Sequence, residues 1–357
     1  MSGPLRIREA TPADEPALRA LTEVEMPGTI RMAFRQVPDF FAAERVRGET
    51  RLGVLTDDSD AVLGCGARVA RRAWFAGAWR RTGYYCTLRA TADGRNARAV
   101  VTAYRWAREV ERADPLAVVT STVMSGNVRA RRLLTSRRFA LPAYLDAGEI
   151  MSFAVTAKAL RRLKTECAGI EVVSATAVGE AALRAFYAEG TDHQPLFPAL
   201  PDPLPPGLSL ADFIVLRREG KIVAAAALWN QRPFRQVRIT GYAPWLRMVR
   251  PLANLGLSLL GYPELPLSGD DLRFRYLAFR KIRGEGDLLR LLMSVAGSRL
   301  ESGECLAFAL HERDRLLAAL KGLRAIRTAS RLYTLSYDAN PYPVDFGGVP
   351  YVEAAML

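Results

Sequence analysis

Apolar and polar positions alternate along Leu5-Arg6-Ile7-Arg8-Glu9-Ala10, the signature of a short edge-like strand. Thr11 then caps, and Pro12 opens, a helix whose buried face is spaced by Leu18, Leu21 and Val24 and which Gly28 breaks. A second short helix is expected over 38–46, ending at Gly48. Three antiparallel strands follow at 51–55, 61–70 and 79–90, turning at Asp57-Asp58-Ser59-Asp60 and at Ala76-Gly77. Helical spacing takes over across 93–110, with Ala99, Ala103, Trp106, Ala107 and Val110 on one stripe. Residues 116–123 form a largely apolar run between turn signals, hence a buried strand. A short helix over 127–136 and closing strands over 144–155 complete the first pass, and 157–165 reads as a basic helical linker.

The second half repeats that order more loosely. Residues 170–175 predict a strand and 179–189 a helix. A proline-rich loop at 195–206 follows, with Leu196, Phe197 and Leu200 to anchor it. Then come a hairpin over 213–216 and 222–229, a strand over 235–242, and a Leu-rich insertion from Pro244 to Gly269. A strand (273–279), a helix (287–300), a buried strand (306–310), a helix (314–320) and a return (326–336) close the chain. Two passes of one order point to internal duplication, with units at 1–156 and 169–357 joined by a linker at 157–168. A meander followed by helix, strand, helix predicts an α/β fold with a mixed sheet and packing on both faces.

Composition narrows the class. A chain of 357 residues, 50% hydrophobic and 24% charged, is ordinary for globular domains. No run reaches the roughly 18 apolar residues of a membrane span, and the start carries no basic-then-apolar leader. The four scattered cysteines show neither metal spacing nor a disulfide framework. A cytoplasmic protein with reduced thiols and no metal site is expected. The net charge of +13 is unevenly placed: residues 1–165 hold 28 Lys and Arg against 17 Asp and Glu, whereas 166–357 hold 22 against 20. Almost all the basic residues of the first half are arginine, whose planar fork suits phosphate and carboxylate. Solvated surface arginine is the plain alternative. Aromatics do not interleave with the arginines, which argues against a nucleic-acid partner.

Two local motifs then bear on chemistry. The turn Gly94-Arg95-Asn96-Ala97-Arg98-Ala99 stands between a strand and a helix, and Asn127, Ala130, Leu133 and Phe139 follow the next strand at offsets of three, six and twelve. Together with the entry at Ile7–Pro12, these resemble the GNAT superfamily of acyl-CoA N-acyltransferases over most of 4–155 and, more faintly, over 170–337. The resemblance implies an acyl-CoA N-acyltransferase fold, two such domains in tandem, acetyl-CoA or another acyl-CoA as co-substrate, and a small-molecule or peptide amine acceptor. It also implies that backbone N–H groups at a helix N-terminus cradle the CoA diphosphate, small residues permitting close approach. Reading the loop from Gly94 keeps Ala97 and Ala99 at the small positions; reading it from Arg95 restores a basic lead but puts Arg98 and Val100 there. The backbone of Leu88, Arg89 and Ala90 would hold the pantetheine as an added strand, and Asn127 would help. The tyrosine that serves the family as general acid is replaced by Leu134. In the second half Arg283-Gly284-Glu285-Gly286-Asp287-Leu288 resembles the same loop, but Glu285 and Asp287 would repel phosphate, and Asp314 and Lys321 stand where Asn and Tyr would.

For general chemistry the candidates are Tyr84 and Tyr85, one of which alternation turns to the cleft, and the only two histidines, His193 and His311. Glu25 and the stretch from Met26 to Arg31 fall where acceptors would enter. The insertion at 245–267 has four readings: a lid, a membrane-surface helix, a homodimer contact, or, most plainly, packing between the halves. A non-catalytic module that binds CoA or another anion is the alternative to an enzyme.

Overall fold

The computed structural model describes residues 5–26, 28–91, 97–136, 141–163, 167–190, 194–284 and 286–357. Strand β1 (Arg6–Glu9) leads through a 3-10 turn capped reciprocally by Thr11 and Asp14 into α1 (Glu15–Thr22). Leu18 and Leu21 are buried, but the helix stops before Val24, which is exposed rather than part of the buried face. Next come β2 (Ile30–Arg35), α2 (Phe40–Arg45), the meander β3 (Glu49–Thr56), β4 (Val62–Phe75) and β5 (Ala78–Ala90), and the amphipathic α3 (Ala97–Ala113). The first half ends with β6 (Val119–Met124), α4 (Val128–Leu134), capped by Asn127, and a single strand β7 (Ala143–Thr156). Among its described residues the linker is helical only in α5 (Ala157–Leu160).

The second half runs β8 (Ile170–Ser174), α6 (Ala175–Val178), α7 (Glu180–Ala188), β9 (Phe213–Arg218), β10 (Lys221–Trp229), β11 (Gln236–Tyr242) and α8 (Pro244–Leu260). It closes with β12 (Phe274–Ile282), α9 (Gly286–Ser298), β13 (Cys305–His311) and β14 (Ile326–Ser336); the expected helix at 314–320 is a 3-10 turn, Arg315–Leu320. The proline-rich loop is ordered as expected, with Phe197 buried among Tyr187, Tyr351 and Phe213.

Twelve strands form one sheet in the order β1-β3-β4-β5-β6-β14-β7-β13-β12-β10-β9-β8. From either edge it reads alike: antiparallel neighbours up to one parallel step, β5 beside β6 and β12 beside β13. The sequence pattern predicts that each half closes its own sheet with two strands. Instead each half lends its last long strand to the other, so β14 lies between β6 and β7, and β7 pairs with β13. Stacked Phe153 and Phe308 mark that second junction, with centroids 5.0 Å apart. A second correction concerns β11, which leaves the main sheet and pairs with β2 in a two-stranded ribbon joining the halves. Helices cover both faces. Clusters under α3 and α4 and under α9 pack separately from those under α1, α2 and α7. No helix of the described residues is long and apolar enough to cross a membrane.

Candidate functional site

The site begins where parallel strands stop pairing. β5 and β6 are bonded only from Gly83–Val119 to Tyr85–Ser121, and beyond that the strands separate although both continue. Just past the split β5 bulges: Thr87 and Leu88 stand opposite Gly66 alone, and Thr87 takes φ 54°. The second half repeats both features. β12 and β13 pair only from Phe274–Cys305 to Tyr276–Ala307, and Phe279 with Arg280 opposes Ala226, Phe279 at φ 50°. A non-glycine residue in this region is strained, so the same strain held twice marks one local design.

What fills the two splits differs. In the second, the Phe279 amide donates to Glu353 Oε2 at 2.7 Å and the Arg280 amide to the Tyr351 hydroxyl at 2.8 Å. The Tyr351 hydroxyl in turn donates to Glu353 at 2.9 Å. Both side chains are buried, and burial raises the pKa of the Glu353 carboxyl against the pull of the Phe279 and Ala355 amides. The second cleft is therefore plugged by the chain's own C-terminal segment. In the first, no described side chain accepts from the Thr87 or Leu88 amide. A carboxylate, Glu44, stops at the Thr87 hydroxyl (3.0 Å), where it is clamped by Arg47 at 2.6 Å and by Gln36.

The first split opens into a cleft of about 1770 Å³ built from both halves. Of the residues picked from sequence, it brings together Tyr84, Tyr85, Leu88, Arg89, Ala90, Ala99 and Asn127. Tyr84 bonds Thr122 Oγ1 at 2.6 Å, and Tyr85 donates to the Ala107 carbonyl at 3.3 Å. Burial raises both phenols, Tyr85 to about 12, so both stay protonated at neutral pH and neither is a ready base. Asn127 caps α4 through Ala130 N at 3.2 Å and borders the cleft as well. Ala97 opens α3, and Arg98 stands exposed on its first turn. Gly94, Arg95, Asn96, Phe139 and His193 lie outside the described residues.

Four further candidates are placed elsewhere. His311 is fully buried: Nε2 faces the Ala147 carbonyl at 2.8 Å, and Nδ1 accepts from Arg313 N at 3.2 Å. Both ring nitrogens are spent on backbone, and a side chain at Gly148 would strike the ring, so this histidine fixes a turn rather than serving a cleft. Arg283 is paired with Glu189 and stacked on Phe186, away from the cleft. Gly284 is exposed, and Gly286 serves packing, because a Cβ there would come within 2.6 Å of Ala319. In the second loop Arg283 and Gly286 thus have structural uses.

Sequence reasoning missed several residues of the cleft. Glu44 and Arg47, at i and i+3 in a short apolar segment, were the legible pair. Tyr104 on α3 and Tyr144 on β7 share a 2.5 Å hydroxyl contact in the cluster that contains Leu134. Burial raises both. Arg235 comes from the second half; it bonds the main-chain oxygens of Ala355 and Leu357 at 2.9 Å, and burial beside Arg47 lowers it to about 10, still charged at neutral pH. Cys65 and Cys86 also border the cleft, and burial raises both thiols, Cys65 to about 12. No group of His, Cys, Asp and Glu among the described residues could hold a metal ion.

Comparison with solved structures follows the same outline. A GCN5-related N-acetyltransferase from Anabaena variabilis superposes over 94% of this chain and 73% of its own, with a TM-score of 0.52 at 10% identity. The fold is that of the GCN5-related N-acetyltransferases. A conserved protein of unknown function from Enterococcus faecalis agrees over 93% of this chain and 72% of its own, also at 0.52 and 10%. The GCN5-related glucosamine N-acetyltransferase region of a fungal multi-domain GH3 β-N-acetylglucosaminidase reaches 0.58 at 12% identity, over 94% of this chain and 38% of that one. At these identities the likeness is one of fold. No family model matches the sequence, and no curated protein does. The splits and bulges described above therefore lie in a sheet of that fold.

Proposed function

We propose that the chain is an acyl-CoA-dependent N-acyltransferase, with acetyl-CoA the expected donor, acting on a small-molecule or peptide amine through its first half. We read it as two GNAT-like units, 1–156 and 169–357, of which the second is a degenerate partner that supplies one wall of the cleft. The observation that carries this reading is the contrast between the bulges: the amides at Phe279 and Arg280 are taken by Glu353 and Tyr351, while Thr87 and Leu88 line the cleft and no described side chain accepts from their amides.

When bound, acyl-CoA supplies an activated thioester. The main chain of Leu88, Arg89 and Ala90 would hold the pantetheine, and the start of α3, with Arg98, the diphosphate. On this reading the Leu88 amide would be the donor that polarises the acyl oxygen as the amine attacks. Leu134 has no proton to offer a departing thiolate; the Tyr104–Tyr144 hydroxyl pair, in the same cluster, offers a hydrogen bond in its place.

The test is calorimetric titration with acetyl-CoA and longer acyl-CoAs, followed by turnover on an amine panel. One equivalent of acyl-CoA should bind, Arg98→Glu should weaken it about tenfold, and an amine should be acylated. A second reading, a non-catalytic CoA or anion sensor, is favoured by Leu134 and by the buried Arg47 and Arg235. Binding without turnover would establish it. No binding of any acyl-CoA would refute the transferase and the CoA sensor alike.

A further inference from the structure

The sequence offers packing between the halves as the plainest role for the apolar insertion. The structure shows otherwise. Only Leu246 of α8 is buried. Trp245, Met248, Leu252, Leu255 and Leu259 line one exposed face at helical spacing, Met248 at 82% and Leu252 at 76% exposure. Nearly half of the exposed large apolar side chains of the described residues sit on this one helix. A continuous stripe of this kind is rare on a protein that meets only water.

The inner face of α8 is built into the cleft wall. Asn254 exchanges two hydrogen bonds with the main chain of Leu265, and Arg250 donates to the carbonyls of Leu265 and Pro266. The helix is thus a fixed ledge, not a free arm.

Charge decides what covers it. α8 carries no Asp or Glu, and Arg247 is exposed beside Met248. Its C-terminal end is ringed by cations: Lys158 donates to Ser258 O at 2.8 Å, Arg162 to Leu260 O at 3.3 Å, and Arg324 to Leu260 O. Of the three acids of the following loop, Asp270 accepts from the Leu267 amide and Asp271 is paired with Arg238, while Glu264 is exposed. A second copy seated on the stripe, parallel or antiparallel, would bring cation against cation at both ends. A surface that is apolar beneath and anionic above meets both features at once.

We infer that α8 docks the protein on an anionic lipid bilayer, with its leucine stripe in the headgroup–acyl boundary and its flanking cations among the lipid headgroups. This holds whether or not the cleft takes acyl-CoA.

Flotation of the full chain with phosphatidylcholine vesicles, alone and with about a third phosphatidylglycerol, tests it. Binding should require the anionic lipid and fall as salt is raised. The blue shift of tryptophan emission on vesicles should be lost in Trp245→Phe. Leu252→Glu with Leu255→Glu should cut vesicle partitioning at least about tenfold with an unchanged thermal melt, and Arg247→Ser about fivefold. No binding, or equal binding to neutral vesicles, overturns the inference. So does a dimer in sedimentation velocity that the double glutamate variant splits, which would give the stripe to a second copy.

Discussion

Glu353→Ala is the sharpest probe of the plugged second split. Three donors converge on this carboxyl: the Phe279 amide at 2.7 Å, the Tyr351 hydroxyl at 2.9 Å and the Ala355 amide at 3.2 Å. Phe279 and Ala355 are fully buried, so truncation strands two amides out of reach of water. Each stranded amide costs about 1–3 kcal/mol. Tyr351 still accepts from the Arg280 amide but loses the acceptor of its own hydroxyl proton, while relief of the buried charge offsets part of the loss. A net destabilisation of about 3 kcal/mol is expected, or about 5 °C in Tm for a chain of this size. The pH dependence carries a sign. The folded carboxyl titrates above its unfolded value near about 4.3, so between the two the folded state binds more protons than the unfolded one. The Glu353 contribution is therefore fully present below the unfolded value and is lost as pH rises through the folded one. Differential scanning fluorimetry between about pH 5 and 8 should show the gap between wild type and variant widening as pH falls. A gap that narrows on acidification, or one below about 1 kcal/mol at neutral pH, would refute the plug.

Two further outcomes are expected. Tyr144→Phe removes one partner of the 2.5 Å hydroxyl pair; it should cost about 1 kcal/mol in urea unfolding and lower kcat about tenfold or more, with KM for acyl-CoA unchanged, whereas an unchanged kcat would place the donor elsewhere. Arg68 is buried between Glu111 at 2.9 Å and Asp114 at 3.1 Å, tying the end of α3 to β4; Arg68→Met should cost about 3–5 kcal/mol by urea unfolding, and a loss under about 1 kcal/mol would show that the carboxylates find water instead.

The sequence carries local order well and long-range pairing poorly. The stripe on α3 was visible because Ala99, Ala107 and Val110 recur at helical spacing, and all three are buried. The Asn127 cap was visible because a cap is set within one turn. Nothing in the alternation along 144–155 or 326–336 says which neighbour each strand will take, since one pattern serves either partner equally; that choice is made by the whole sheet. The insertion that became α8 shows the same limit: its Leu-rich composition was legible, but not that it forms a helix with one apolar face left uncovered. Glu353, a lone carboxylate in Tyr351-Val352-Glu353-Ala354-Ala355-Met356, was the signal passed over, because a single charge in an apolar run must find buried donors.

The strained bulge persists in both halves, yet only one stands open. If strain at this turn were kept for catalysis alone, a half whose amides are spent on Glu353 and Tyr351 would have had no reason to retain it at Phe279. The bulge must then also have a structural use, and in the second half it is the seat of the contacts that Glu353 and Tyr351 make with β12. It follows that the bulge marks where a GNAT site can be, and not that one operates. What separates the two splits is what stands against them, the Glu353 carboxylate and Tyr351 hydroxyl in the second and a cleft lined by Thr87 and Leu88 in the first.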